Sequence, residues 1–203
     1  MDILKLIKNR KSIRRYKTKP LSKQIIKKII EAGIWGPSVP SFLMQSQPWK
    51  FIVVKNKEIK DEIVRILDNK AKKSKAGVNI MLSSAKNIIN NASIIIAIYN
   101  TKKLEKLMKE KFKAIYSRFS FLIKKAELSA ISAAIQNMIL VAESLGVGSC
   151  WLDTPLFCKR EINKLLKVKD GEELVAILTL GYPAEKGKRS KRKPLFETVR
   201  FIE

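Results

Sequence analysis

Four short apolar runs give the clearest periodic signal along the chain. They are rich in β-branched and aromatic side chains and are bounded by glycine, proline or polar residues, which is typical of buried strands. The predicted strands cover residues 49–55, 92–99, 149–152 and 174–180. The last run ends at Gly181-Tyr182-Pro183, a sequence that favours a turn.

Segments with apolar residues at helical spacing lie between these runs. Residues 22–34 begin at a capping serine and end before Gly36-Pro37, and residues 57–68 show the same spacing. The lysine-rich residues 70–77 predict a mobile connector. Residues 104–119 predict one basic amphipathic helix, which either packs on its own domain with a solvated lysine face or serves a membrane surface or a partner.

Residues 126–145 predict the most informative helix. Apolar side chains occur nearly all round it, and its polar residues fall on one narrow stripe: Ser129, Ser132, Gln136 and Glu143. Burial on most faces indicates either a central helix or a helix in a subunit interface. No internal repeat or linker is visible, so residues 1–203 are expected to form a single domain.

The chain has 203 residues, of which 46% are apolar, enough for a sizeable core. It has no run of eighteen apolar residues, and charged residues interrupt the apolar ones in its first eleven positions. Neither a membrane span nor a secretory signal is therefore predicted. We expect a soluble cytoplasmic protein.

Cysteine and histidine usage restricts the possible chemistry. The chain has two cysteines, Cys150 and Cys158, and no histidine, so zinc-ligand spacing is absent and no metal site is predicted. The same absence excludes Ser-His and Cys-His nucleophile pairs. Catalysis is left to carboxylates, lysine, tyrosine, cysteine or a bound cofactor.

The net charge is +24, from 42 Lys and Arg against 18 Asp and Glu. Such a charge attracts polyanions, phosphorylated cofactors or anionic membranes, and it does not choose among them. A generally basic surface without a specific partner remains the alternative. Basic residues are spread along the chain without an aromatic-interleaved nucleic-acid motif, so no specific nucleic acid is predicted as a partner.

Several motifs occur together in a specific order. Arg10, Ser12 and Arg14 form an R-x-S-x-R cluster that offers guanidinium and hydroxyl donors to a phosphate or an electron-rich ring edge. The motifs that follow are Trp35-Gly36-Pro37-Ser38, Gln45-Ser46-Gln47-Pro48-Trp49, Gln136-Asn137, the Leu-Gly-Val-Gly-Ser-Cys-Trp of residues 145–151, Leu180-Gly181-Tyr182-Pro183 and Arg192-Lys193-Pro194-Leu195. In this order they resemble the nitroreductase family of flavoproteins over nearly the whole chain.

The resemblance implies an α+β fold with a central, mainly antiparallel sheet of four to five strands flanked by helices, in an intertwined homodimer. It also implies an FMN site, in which Arg10 and Ser12 approach the phosphate and Arg14 lies by the N1 and O2 edge of the flavin ring. Residues from the other subunit would cover the ring. The cofactor-binding residues implied are Arg10, Lys11, Ser12, Arg14, Pro37, Ser38, Gln45, Gln47, Asp153, Thr154, Lys191 and Arg192.

Two departures from the family pattern affect this assignment. Val39 to Met44 resembles an insertion before Gln45, where an asparagine is common in the family. Where the family usually has a glycine whose backbone N–H meets flavin N5, this chain has Asp153-Thr154-Pro155. Of these three residues only Pro155 lacks an N–H, so a backbone donor remains available.

The implied activity is ping-pong hydride transfer from NADH or NADPH, through flavin N5, to a nitroaromatic, a quinone or a similar small acceptor. The basic segment at residues 101–124 falls in the region that is variable in the family and shapes substrate entry. Reductive dehalogenation and flavin fragmentation are alternatives within the family. A protein that binds polyanions through its basic surface is the alternative from another class.

Overall fold

A computed structural model describes residues 2–38 and 47–203. The segment that resembles an insertion, Val39 to Met44, and the predicted site residue Gln45 lie outside the described residues. The helices are α1 (Ile3–Asn9), α2 (Lys23–Ile34), α3 (Lys57–Lys72), α4 (Ala76–Asn91), α5 (Lys103–Lys111), α6 (Lys113–Ser144) and α7 (Lys159–Leu165). The strands are β1 (Trp49–Val54), β2 (Ile94–Asn100), β3 (Gly148–Leu152) and β4 (Glu173–Gly181).

The four described strands form one sheet in the order β1-β2-β4-β3, and every neighbouring pair is antiparallel. This confirms the predicted α+β fold and its antiparallel sheet. All four predicted strands are present within about two residues of their expected ends, an offset common at element boundaries. The dimer stays a prediction.

Both faces of the sheet are covered, which explains why the strands read as continuous apolar runs. In β2, Ile94, Ile96 and Ile98 pack in the core shared with α2 and α6. The alternate residues Ile95, Ala97 and Tyr99 pack in a second core with α3 and α4. Because successive strand side chains point to opposite faces, one strand contributes to both cores.

The helix predicted at residues 126–145 is the second half of α6. It is a central helix, which is one of the two positions that its apolar surface predicted. Seven of its residues, listed here, are buried against the sheet and α2: Ala130, Ile131, Ala134, Ile135, Met138, Ile139 and Ala142. Gln136, on the predicted polar stripe, is exposed on the opposite side. No helix among the described residues is long and apolar enough to cross a membrane.

Two predictions about local structure were wrong. The connector predicted at residues 70–77 is only three residues long, because α3 continues to Lys72 and α4 begins at Ala76. Ala71 near the end of α3 is buried, as are Leu82, Ala85 and Ile89 of α4, so packing between the two helices extends helical structure into the lysine-rich residues.

The single helix predicted at residues 104–119 is divided. Helix α5 ends at Lys111, Phe112 has non-helical dihedral angles (φ −132°, ψ 49°), and α6 begins at Lys113. The break turns the chain so that Leu104 of α5 and Ile123 of α6 reach the same core. The fully buried carboxylate of Glu127 accepts bonds from the backbone N–H groups of Leu104 (2.8 Å) and Glu105 (3.3 Å), and so caps α5 from the neighbouring helix.

Candidate active site

The R-x-S-x-R segment lies against the edge of the sheet. The N–H of Ile13 donates to the carbonyl of Ser149 in β3 (2.9 Å), and the N–H of Lys17 donates to the carbonyl of Tyr182 just after β4 (2.8 Å). Ser12 pairs with Ser149 as an isolated parallel bridge. These bonds hold the segment in an extended conformation, in which Ile13 points into the core and Arg14 is exposed.

Tyr16 is the second anchor of this segment. Its ring is buried, and its hydroxyl lies 2.6 Å from the carbonyl of Ile13 and 2.7 Å from Oγ1 of Thr179 in β4. Oγ1 of Thr179 in turn donates to the carbonyl of Cys150 (3.2 Å). Burial raises the pKa of Tyr16 well above its ordinary value, so the hydroxyl is a neutral donor at physiological pH.

A glycine makes room for this arrangement. A Cβ atom on Gly148, at the start of β3, would lie 2.9 Å from three side-chain atoms of Ile13. That distance is too short for a real contact, so the glycine of the Gly-Val-Gly motif lets Ile13 pack directly on the strand. The motif therefore has a packing role at this edge of the sheet.

The loop after β4 folds back onto the same segment. Oε1 of Glu185 accepts a bond from the backbone N–H of Arg14 (2.7 Å), and Nζ of Lys11 donates to the carbonyl of Lys186 (3.2 Å). Gly187 adopts φ +63°, and a Cβ there would lie 3.0 Å from Cβ of Lys11. Glycine is therefore the residue that permits this close approach. The loop and the R-x-S-x-R segment form one unit although more than 170 residues separate them.

A cleft of about 770 Å³ opens where these segments meet the end of α1 and the outer face of α6. Five of the predicted cofactor-binding residues line it, namely Arg10, Lys11, Ser12, Arg14 and Arg192. Its other lining residues are Ile7, Lys8, Gln136, Lys188, Arg189 and Ser190. The structure thus brings predicted cofactor-binding residues from near both ends of the sequence to one cavity.

The lining of the cleft is strongly positive. It contains seven cationic side chains and no carboxylate: Lys8, Arg10, Lys11, Arg14, Lys188, Arg189 and Arg192. Within residues 2–38 and 47–203, none of these seven forms an ion pair. Glu185, the acid at the edge of this region, is engaged by the backbone of Arg14 and by Arg15 (3.7 Å). The cleft therefore presents guanidinium, ammonium and hydroxyl donors that suit a phosphorylated ligand.

The other predicted site residues do not line this cleft in their own chain. Pro37, Ser38 and Gln47 are exposed, and so is Lys191. Asp153 and Thr154 follow β3, where the carboxylate of Asp153 accepts a bond from the indole N–H of Trp151 (2.6 Å) and Thr154 begins a short 3₁₀ helix. Gln45 lies outside the described residues.

The six other lining residues and the neighbouring Glu185 were absent from the predicted site. Lys188 and Arg189 line the cleft, but they belong to a basic stretch, residues 185–193, whose composition is typical of a solvated loop. Gln136 belongs to a recognised motif, and its position on the polar stripe of α6 was the signal that it faces outward. Glu185 gave no signal, because its bond to Arg14 depends on the folded loop.

Neither thiol is suited to act as a nucleophile. Cys150 is buried beneath the R-x-S-x-R segment, and burial raises the pKa of its thiol, an effect that Arg14 and Arg10 oppose only in part. Burial also raises the pKa of Cys158, to about 11. The thiolate, which is the reactive form, is therefore scarce at both positions at neutral pH.

A family model described as the nitroreductase family matches residues 7–182. The chain belongs to the nitroreductase family. The matched residues include the R-x-S-x-R segment, all four described strands and α6, which make up most of the fold.

Three relatives illustrate the range of proteins that this chain is similar to. A protein of Methanothermobacter thermautotrophicus, provisionally named NADH dehydrogenase/NAD(P)H nitroreductase, is 29% identical over 187 residues, which are 91% of this chain and 79% of that protein. An iodotyrosine deiodinase of Thermotoga neapolitana is 27% identical over 188 residues, 88% of this chain and 87% of that enzyme. A provisionally named nitroreductase of Desulfovibrio desulfuricans, solved in complex with FMN, is 26% identical and superimposes with a TM-score of 0.72 over 100% of this chain and 98% of that one.

Proposed function

We propose that this chain is an FMN-dependent oxidoreductase that transfers hydride from NADH or NADPH to a small acceptor such as a nitroaromatic or a quinone. We also propose that residues 1–203 act as one flavin-binding unit, with residues 101–124 as the variable part near the substrate. Family membership and the FMN complex of the relative from Desulfovibrio desulfuricans support the choice of cofactor.

The observation that carries the proposal is the cleft itself. Two segments that are more than 170 residues apart converge there, and the lining combines Arg10, Ser12 and Arg192 with no carboxylate. A phosphate monoester carries about −1.5 to −2 charge at pH 7 and is bound best by such charge-assisted donors. The donor set therefore fits the phosphate of FMN.

Each residue has a distinct role in this proposal. Arg10, Lys11, Ser12 and Arg192 hold the phosphate, and Lys191 adds charge beside Arg192. Arg14, which is exposed at the mouth of the cleft, acts electrostatically on the ring edge. When bound, FMN supplies the centre that accepts and donates hydride, and a fixed positive charge near its ring favours the reduced form. Asp153 or Thr154 supplies a backbone N–H to the ring.

The proposal includes a homodimer whose flavin sites are composite. Pro37, Ser38 and Gln47 are exposed and do not line the cleft of their own chain, as expected for residues that serve the site of the partner. Trp35 is 80% exposed, and Phe196, Phe201 and Ile202 near the end of the chain are 80–86% exposed. Large exposed apolar side chains in such numbers are typical of surfaces that a partner covers. Light scattering should give twice the chain mass, and an active, flavin-loaded monomer would contradict this part of the proposal.

Anaerobic reduction tests the activity. Protein purified with FMN should be yellow, and NADH or NADPH should bleach the visible absorbance of the oxidised flavin. Addition of a quinone or nitroaromatic should restore the absorbance. A protein that retains no FMN, or whose flavin neither nucleotide reduces, would overturn the proposed function.

Reductive dehalogenation is a second candidate, because iodotyrosine deiodinases are among the relatives of the chain. Such a reaction replaces an aryl carbon–iodine bond by a carbon–hydrogen bond and releases iodide, with uptake of two electrons and a proton. Release of iodide from iodotyrosine by the reduced protein, with no turnover of quinones or nitroaromatics, would favour this candidate over the first.

A further inference from the structure

We propose that the outer part of the cleft binds a second phosphate group, the 2′-phosphate of NADPH, and that Lys8, Lys188 and Arg189 make the enzyme prefer NADPH to NADH. This inference rests on the proposed function. It concerns the choice of electron donor, which the family relationship leaves open between the two nucleotides.

The number of cations in the cleft is the first argument. The seven cationic side chains exceed what one phosphate dianion and one ring edge require. The proposed FMN contacts account for Arg10, Lys11, Arg14 and Arg192. Three cations, Lys8, Lys188 and Arg189, then remain without an anionic partner in the part of the chain that the structure describes.

The position of these three side chains is the second argument. Nη2 of Arg189 donates to the carbonyl of Lys8 (2.9 Å), which joins the loop to the last turn of α1, and Lys188 is its neighbour in the chain. All three are exposed, as are Arg14 and Arg192, whereas Arg10, Lys11 and Ser12 are half-buried. The three cations therefore form an outer cluster beside an inner, phosphate-binding cluster.

Space for a longer ligand continues from this outer cluster. A neighbouring cavity of about 320 Å³ shares Lys8 and Arg189 with the cleft, and its other lining residues are Asp2, Leu4, Lys5 and Asn9. Asp2 is engaged by the backbone N–H groups of Leu4 (2.9 Å) and Lys5 (3.2 Å) at the start of α1. A dinucleotide bound at the mouth of the cleft has room there for its adenosine end.

The chemistry of the donors selects NADPH. NADPH differs from NADH by one phosphomonoester on the adenosine ribose, and that group adds close to two negative charges at neutral pH. Charge-assisted hydrogen bonds to such a group are roughly twice as strong as hydrogen bonds between neutral groups. An outer cluster of two ammonium groups and one guanidinium therefore discriminates between the two nucleotides.

Matched variants test this inference in the FMN-loaded protein. Lys188→Gln with Arg189→Gln removes two outer charges, and Arg160→Gln with Lys164→Gln removes the same two types of charge from the exposed side of α7, outside the cleft. The parent and the α7 variant should show kcat/KM at least about tenfold higher for NADPH than for NADH. In the outer-cluster variant this ratio should fall about tenfold, mainly through NADPH.

A binding measurement without turnover provides the second readout. Adenosine 2′,5′-bisphosphate should bind the FMN-loaded parent at least about tenfold more tightly than AMP or inorganic phosphate, and the outer-cluster variant should lose this difference. Equal use of both nucleotides by a yellow, active parent would overturn the inference and leave the proposed function intact. An equal loss of NADPH preference in the outer-cluster variant and the α7 variant would also overturn the inference, because the preference would then depend on net charge alone. A chain that binds no FMN would overturn both proposals.

Discussion

Replacing Tyr16 with phenylalanine removes one hydroxyl that joins the R-x-S-x-R segment to the sheet. That hydroxyl lies within hydrogen-bond distance of the Ile13 carbonyl (2.6 Å) and of Oγ1 of Thr179 (2.7 Å). The phenyl ring keeps its packing in the core, and Thr179 keeps its bond to the carbonyl of Cys150. The substitution therefore isolates the effect of the anchor.

The expected magnitude follows from the burial of these groups. A neutral hydrogen bond contributes about 1 kcal/mol, and a buried carbonyl left without its donor costs about 1–3 kcal/mol. Ile13 is only 5% exposed, so water does not readily replace the lost donor. We expect Tyr16→Phe to lower the free energy of unfolding by about 2 kcal/mol, which corresponds to a fall in Tm of roughly 4–8 °C for a chain of this size.

Urea denaturation at a fixed protomer concentration measures this loss, since oligomerisation makes stability depend on concentration. Tyr182→Phe is the matched control, because it removes the same atom from a half-buried tyrosine whose ring lies 5.0 Å from Nζ of Lys19. In a double-mutant cycle with Thr179→Val, the two sites should couple by at least about 0.5 kcal/mol. If Tyr16→Phe costs no more than Tyr182→Phe, or if the cycle shows no coupling, the hydroxyl is not the anchor.

Three further predictions concern acid stability, thiol reactivity and nucleic acids. Lys72 and Lys86 lower the pKa of Asp68 to about 2, so this carboxylate stabilises the fold above about pH 4 and loses that effect as the pH falls towards 2. Asp68→Asn should therefore reduce the loss of unfolding free energy that denaturation measures between pH 7 and 2, and an unchanged loss would contradict this. Burial raises the pKa of the Cys158 thiol to about 11, so the contribution of this thiol to stability should be lost as the pH rises from 9 through 11. Iodoacetamide should label Cys158 at pH 8 far faster in the unfolded chain than in the folded one, and equal labelling rates would refute this. DNA and RNA should bind weakly, without sequence preference and with a steep loss of affinity in salt, whereas tight, selective binding at physiological salt would favour the polyanion-binding alternative.

The fold was largely predictable from the sequence because its signals are local. Each strand is a short, dense apolar run, and Ser22 caps α2 through its bond to the backbone N–H of Ile25 (3.3 Å) as its position suggested. Helix α4 was missed, although Leu82, Ala85 and Ile89 stand at helical spacing, because Gly77 and the lysine-rich residues before it favour a loop. The break between α5 and α6 at Phe112 was missed because it serves a tertiary contact, the packing of Leu104 and Ile123 in the same core.

The candidate site was predictable in its identity and less so in its extent. The order of motifs indicated Arg10, Ser12, Arg14 and Arg192, and all four line one cleft. Arg189 was not predicted, because its approach to α1 depends on how the loop folds back after β4. The sequence shows which residues carry charge, but the distances between the charged groups depend on the folded loop. Contacts made by Glu185 and Gly187 fix that loop, and no local sequence pattern predicts them.

The dissociation constant of FMN for the variant Arg10→Ala with Arg192→Ala tests the central claim most directly. Each lost charge-assisted contact costs about 1.5–3 kcal/mol, so the constant should rise about a hundredfold or more. Arg65→Ala with Arg160→Ala, which removes two exposed arginines outside the cleft, should leave it nearly unchanged. A cleft variant that binds FMN as tightly as the parent would show that this basic cluster is solvated surface and does not hold the cofactor.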